Sequence, residues 1–150
     1  MSERSDDHAL PEVAGLLARS RQILVITGAG MSRESGLPTY RGVGGLYERT
    51  ETEDNVPIDV ALSGPMLRRR PQLTWRYIAE IERACRGASP NPGHQALATI
   101  EQYTQVFIAT QNVDGLHQRA GSNDVAELHG NLYDLRCTRC DFAARVDDYA

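Results

Sequence analysis

Four strand-forming residues in a row, Ile23-Leu24-Val25-Ile26, run directly into Thr27-Gly28-Ala29-Gly30. An unbroken apolar run of this length, bounded by turn signals, fits a strand buried inside a sheet. The glycines let the backbone fold tightly from that strand into a helix start, an arrangement that turns main-chain N–H groups toward a phosphate. The surrounding run, Thr27 to Tyr47, reads T-G-A-G-M-S-R-E-S-G-L-P-T-Y-R-G-V-G-G-L-Y. A chain carrying it is held to an α/β arrangement in which a strand delivers its C-terminal end to a turn suited to a ligand.

The glycine motif does not by itself name that ligand. The usual dinucleotide fingerprint asks for a third glycine where this chain has Arg33. It also asks for an acidic residue about 20 positions on, at a strand end, whereas Glu48 stands in a loop. A nicotinamide dehydrogenase is therefore a poor fit. No Gly-Lys-Ser/Thr follows, which removes the P-loop reading. A tight strand–helix turn with no ligand stays open. Arg41 shifts the balance, because it lies in a polar, glycine-rich segment from which a guanidinium reaches a phosphate bidentately. Tyr40 beside it offers a flat apolar face. A glycine turn facing a closable Arg/aromatic loop suits a cofactor that is enclosed during reaction.

The 150 residues amount to about one domain. With 41% hydrophobic and 24% charged residues the composition is that of a soluble globular protein. A net charge of −4 and a single basic run, Arg68-Arg69-Arg70, give no footprint for nucleic acid; the run precedes Pro71 and reads as a solvated helix approach. No apolar stretch nears the roughly 20 residues of a membrane span. Met1 to His8 is polar and acidic, without the basic and apolar regions of a secretory signal. Neither a nucleic acid nor a membrane is expected as partner. Three cysteines, two of them as Cys137-Thr138-Arg139-Cys140, make no disulfide framework, so a reducing cytoplasm is the expected location.

Hydrophobic spacing gives the layout. Leu10, Val13, Leu16 and Leu17 predict an amphipathic helix over 10–20, and 23–27 a buried strand. Residues 38–55 are glycine-rich and then acidic, a loop. Ser63 before Pro65 reads as a helix N-cap with proline in the first turn. A second helix is predicted over 71–85, with Leu73, Tyr77, Ile78 and Ile81 on one face, ending near Gly87. The turn Pro90-Asn91-Pro92-Gly93 leads to a helix over 94–102, then to a second buried strand, Gln105 to Thr110. A short helix over 115–120 is closed by Gly121, and 125–128 is a third strand. Strands alternating with helices imply a parallel sheet with crossover helices.

Ligands of open parallel sheets bind at the C-terminal ends of the strands. Gln111, Asn112 and Asp114 stand at one such end, offering amides and a carboxylate suited to ribose hydroxyls and a carboxamide. His129, in Glu127-Leu128-His129-Gly130, stands past the next strand and has the intrinsic pKa of a general base near neutrality. Each has a structural alternative: Asn112 and Asp114 as caps of the 115–120 helix, and His129 as a satisfied structural histidine. His117 reads as structural or solvent-facing.

The combination of G-A-G-M-S-R-E-S-G-L-P-T-Y-R-G, P-N-P-G-H-Q-A-L, T-Q-N-V-D-G-L-H-Q-R-A-G, L-H-G and C-T-R-C, in this order, closely resembles the sirtuins, NAD-dependent protein-lysine deacylases. The resemblance runs from about Leu10 to the last residue. It implies a Rossmann-like α/β fold, a parallel sheet with helices on both faces, plus a small zinc-binding module, both incomplete at the C-terminus. Residues 1–131 would be the N-terminal part of the NAD-binding domain and 132–150 the first half of the zinc module.

The resemblance also implies roles. Gly28, Ala29 and Gly30 would hold the NAD diphosphate, with Ser32 and Tyr47 among the cofactor-binding residues. Arg41 would hold NAD in its productive pose, and Tyr40 takes the place of an aromatic that shields the reacting ribose carbon. Gln111 and Asn112 would contact the nicotinamide ribose region and Asp114 the carboxamide. The acyl oxygen of an acyl-lysine protein would attack C1′ and expel nicotinamide; His129, with Asn112 the other catalytic candidate, would then act as general base on the ribose hydroxyls. The products would be free lysine, nicotinamide and O-acyl-ADP-ribose. Members that remove acidic acyl groups place a Tyr and an Arg three residues apart where this chain has Ile78 and Ile81, which implies deacetylation over desuccinylation.

Zinc in such a module is held by two cysteine pairs, of which Cys137 and Cys140 are the first; two of the four ligands are present. Cys85, inside a predicted helix, is a poor third, and a redox role for the pair lacks a thioredoxin-like setting. Only about three core strands are present, which implies an exposed sheet edge. The chain is therefore expected to be the N-terminal part of a sirtuin. Two alternatives stand beside the deacylase: an ADP-ribosyl transferase on the same scaffold, and a non-catalytic remnant that binds NAD weakly.

Overall fold

The computed structural model describes residues 9–39 and 55–149. Helix α1 (Ala9–Arg19) leads into strand β1 (Gln22–Thr27). A 3₁₀ segment, Ala29–Ser35, follows with Gly28 at its N-cap and Gly36 closing it at φ 85, where a side chain is strained. Short pieces of this kind are where 3₁₀ winding replaces α winding. Helices α2 (Ile58–Ala61), α3 (Gly64–Arg69), α4 (Pro71–Gly87) and α5 (Pro92–Ile100) come next. Then follow β2 (Gln105–Thr110), α6 (Leu116–Ala120), β3 (Val125–Glu127) and the pair β4 (Asp134–Arg136) and β5 (Ala143–Arg145).

The helix boundaries follow local chemistry. The Ser63 hydroxyl accepts from Met66 N–H, and a proline occupies the first turn of α3. Asn91 caps α5 in a capping box whose third position is His94 in place of the usual Glu or Gln. Gly121 ends α6 in the left-handed region at φ 105. The last turn of α4 is closed from outside: Arg119 donates to the carbonyls of Cys85 at 3.1 Å and Ala88 at 2.6 Å.

The strands β1, β2 and β3 form a three-stranded parallel sheet in that order. This is the Rossmann-like arrangement, with β1 at one edge among the described residues. Both long strands depart from the expected full burial. Val106 and Ile108 of β2 are buried, but Leu24 (63% exposed), Ile26 (69%) and Phe107 (46%) lie on the opposite face, which stays open. An unbroken apolar run signals two covered faces, and among the described residues the side chains on one of them are largely exposed. The apolar stripe of α1 is exposed as well, and none of its residues is buried.

Two small cores sit beside the sheet. Leu37, Cys85, Ala88 and Leu116 make one, with Ile81 and Leu132 against it. Ile58, Ala61, Leu73 and Tyr77 make the other, locked by the Thr74 hydroxyl donating to the Ala61 carbonyl at 2.7 Å. Strands β4 and β5 form a separate antiparallel hairpin. An ion-pair chain ties α4 to the residues after it: Glu82, fully buried, faces Arg86 at 3.3 Å, and Arg86 reaches Asp148 at 3.0 Å.

Candidate active site

The parallel register brings the predicted residues to one end of the sheet. Thr27 pairs with Thr110, and Thr110 with Glu127. The ladder continues one step further, with Gln111 N–H donating to the Thr27 carbonyl (3.0 Å) and Leu128 N–H to the Thr110 carbonyl (2.8 Å). Gly28, Gln111 and Leu128 therefore leave three neighbouring strands at the same level. This is where open parallel sheets bind ligands.

Gly28 is not demanded by the fold. Its φ of −147 and ψ of −171 are extended values open to any residue. Among the described residues, a Cβ added at Gly28 or Gly30 would meet nothing within 4 Å. The free space above the turn is room for an outside group to approach the backbone closely, the second use of glycine in such turns.

Behind the turn three polar side chains lock together. The Ser32 hydroxyl donates to Asp114 Oδ2 at 2.6 Å, and Asn112 Nδ2 donates both to Ser32 Oγ and to the Gly28 carbonyl, each at 3.1 Å. Asp114 Oδ1 accepts from Leu116 N–H at 2.9 Å, so the capping role considered for it is real. All three residues are buried. Asn112 holds the glycine turn from β2, and Asp114 ties that turn to the start of α6. Both also line a cavity of about 160 Å³, together with Ala29 and Ser32. Its apolar side includes Leu37, Tyr77 and Ile81. The half-buried Ile78 does not line it.

Gln111 and His129 are exposed at the same sheet end, His129 in the turn just past β3. Tyr40, Arg41 and Tyr47 lie outside the described residues. Cys137 and Cys140 are exposed in the turn between β4 and β5. Arg139 N–H donates to Cys137 Sγ at 3.4 Å; that bond and the neighbouring Cys140 hold the Cys137 thiol below the usual thiol value. Two thiols presented by one tight turn fit half of a tetrahedral thiolate site. No group of three or more His, Cys, Asp or Glu placed to hold a metal occurs among the described residues. Cys85 is buried in α4, where burial, with Asp114 and Glu82 nearby, pushes its thiol up to about 12.

A polar layer beneath the turn escaped the sequence reading. His117, expected to be structural or solvent-facing, is 1% exposed and lies with its Nε2 3.0 Å from the Thr27 hydroxyl. Thr27 in turn donates to Thr110 Oγ1 at 2.8 Å. His94 is fully buried, its ring 4.8 Å from that of His117. The local signal for His94 was its place three residues after the Asn91 cap; His117 had none, because its partner is 90 positions away. Burial holds both imidazoles below the ordinary histidine value, and the Asp114 carboxylate opposes that shift in each.

No described helix is long and apolar enough to cross a membrane. A family model described as the Sir2 family matches residues 28–150. The chain is 54% identical over 132 residues to the NAD-dependent protein deacylase 2 of Pseudomonas syringae pv. tomato, covering 86% of this chain and 53% of that one. Among solved structures, a mutant Sir2 homologue in complex with ADP-ribose superposes with a TM-score of 0.84 at 34% identity, over 100% of this chain and 55% of that one. A Sir2 complex with a deacetylated p53 peptide and 3′-O-acetyl ADP-ribose superposes at 0.76, with 33% identity over 93% of this chain and 54% of that one. The chain spans about half the length of the relatives it matches. With the glycine turn, the strand ends beside it and the Cys137–Cys140 turn all inside the matched span, the chain belongs to the Sir2 family.

Proposed function

We propose that this chain supplies the glycine-turn half of an NAD-dependent protein-lysine deacylase. The observation that carries the proposal is the Gly28–Gly30 turn, open above and pinned from behind by Ser32, Asn112 and Asp114, at the end of a parallel sheet. Backbone N–H groups of that turn take the NAD diphosphate, Arg41 holds NAD in its productive pose, Tyr40 shields the reacting ribose carbon, and Ser32 and Tyr47 are further cofactor-binding residues. Gln111 and Asn112 meet the nicotinamide ribose, and Asp114 the carboxamide. The acyl-lysine oxygen attacks C1′ as nicotinamide leaves, and His129 takes a proton from a ribose hydroxyl that then attacks the acyl carbon. Expelling neutral nicotinamide builds positive charge at C1′, so enclosure and positioning matter more than a strong acid. The similar proteins support this reading, being named deacylases or caught with ADP-ribose.

Residues 1–131 then form the first part of the NAD-binding domain. Residues 132–150 form the first half of a zinc-binding module, with Cys137 and Cys140 as two of its ligands; the separate β4–β5 hairpin supports this division. The acyl group is acetyl or another apolar chain, since Ile81 lines the cavity and neither it nor Ile78 offers a cation to a succinyl carboxylate. Free cysteines suit a reducing, cytoplasmic setting. Calorimetric titration of the chain with ADP-ribose tests the cofactor reading. Saturable binding that is lost in Asn112→Ala is expected; no heat up to millimolar ADP-ribose would overturn it. An NAD-dependent peptide assay of the chain joined to the remaining half of the Pseudomonas syringae relative tests the reaction, with acetyl-lysine turned over ahead of succinyl-lysine.

A further inference from the structure

His94 and His117 each bury one ring nitrogen without a partner: Nε2 of His94 and Nδ1 of His117. Unpaired buried polar atoms are costly and uncommon. Here the two belong to rings whose centroids are 4.8 Å apart at an interplanar angle of 60°. The protonation of each ring follows from its other bond. Asn91 N–H donates to His94 Nδ1 at 3.3 Å, so Nδ1 holds a lone pair and the proton of the neutral ring sits on Nε2. Thr27 O–H donates to Thr110 Oγ1, so the Thr27 oxygen is left to accept from His117 Nε2–H, and His117 Nδ1 holds the lone pair. The reverse setting would put two N–H groups against each other. One orphan is therefore a donor and the other an acceptor.

We propose that His94 Nε2–H is shared with His117 Nδ1, and that the two rings act as one brace under the cofactor turn, with His117 as a positioning residue. The brace runs in one direction: Asn91 N–H to His94, His94 to His117, His117 to Thr27, Thr27 to Thr110. It grips the turn at both ends. His117 holds Thr27, the residue before Gly28. Asn91 donates through its side chain to the Met31 carbonyl at 2.7 Å, three residues past Gly28. The importance of the brace for NAD rests on the proposed function, but the brace itself does not.

Long-range ¹⁵N–¹H spectra of the 150-residue chain read which ring nitrogen carries the proton. Both rings are expected neutral and Nε2-protonated at pH 7; an Nδ1–H tautomer or an imidazolium at either site overturns the proposal. The second measurement is hydrogen exchange at Met31 N–H, which bonds to the Gly28 carbonyl. His117→Asn, which keeps a polar group near the Nδ1 position and loses the Thr27 bond, is expected to speed that exchange about tenfold relative to His117→Gln, which restores a donor to Thr27. Equal exchange in the two variants would overturn the positioning role. Neither readout requires NAD to bind, so a failure here is distinct from a failure of the deacylase reading.

Discussion

The Ser32 hydroxyl and the Asp114 carboxylate, 82 positions apart in sequence, meet at 2.6 Å in a buried pocket. That single bond joins the 3₁₀ segment after the glycine turn to the N-terminus of α6, which Asp114 caps with its other oxygen. Removing the hydroxyl leaves a buried carboxylate short of a donor and Asn112 short of an acceptor. Ser32→Ala should therefore cost about 1–3 kcal/mol in urea unfolding. A loss below about 0.5 kcal/mol, the level of an ordinary surface substitution, would show that water replaces the hydroxyl freely.

Gly28→Ala separates fold from ligand. The backbone there is extended, and an added methyl meets nothing within 4 Å among the described residues. Stability should hold, or rise by about 0.4–1 kcal/mol through the lower entropy of the unfolded chain. ADP-ribose affinity should fall sharply, because the methyl occupies the space a diphosphate needs. Thermal unfolding and calorimetric titration of the same sample decide it; parallel losses in both would make Gly28 a structural requirement instead.

The two buried histidines set a direction for pH dependence. Their folded values lie below the ordinary histidine value near 6.5, chiefly through burial. The unfolded chain thus binds more protons between the depressed folded value and about 6.5. Their contribution to stability is present above about pH 6.5 and is lost as pH falls through the folded values. Urea midpoints between pH 5 and 8 should drop on the acid side. Replacing His94 with Gln should flatten that drop, and an unchanged slope would assign it to other groups.

The three thiols should separate by rate. Cys137 is exposed and held below the usual thiol value, while Cys85 is buried and pushed up to about 12. The thiolate is the reacting form. Iodoacetamide at pH 7.5 followed by mass spectrometry should label Cys137 first and leave Cys85 unmodified until denaturant is added. One equivalent of zinc should protect Cys137 and Cys140 together. Early labelling of Cys85 would mean that α4 opens readily.

Local signals carried much of the architecture. The run Ile23 to Ile26 with its glycines located β1 and the turn; Ser63 and Gly121 marked a helix start and a helix end because caps act on their own few neighbours. Burial of β1 was not legible in the same way. Whether Leu24 and Ile26 are covered depends on what packs against them, which an apolar run does not itself record. In the site, the meeting of Gly28, Gln111 and Leu128 followed from parallel strand order. The brace below them did not, since Thr27, His94, His117 and Thr110 are joined by side-chain bonds between elements far apart in sequence. Asp114 shows a third case: its two oxygens accept from different elements, Oδ1 from Leu116 N–H at the start of α6 and Oδ2 from the Ser32 hydroxyl, and only the first of these partners is local in sequence.

Strand β1 is the edge of its sheet among the described residues, and the same strand ends in the glycine turn. The edge row of backbone N–H and C=O groups and the glycine turn thus share one short piece of backbone. Whatever pairs along that edge restrains Thr27 and Gly28, and whatever fills the turn restrains β1 in return. The two occupancies are linked by a single coupling free energy, equal in both directions. Anything that pairs along β1 would then change the affinity for a ligand at the turn.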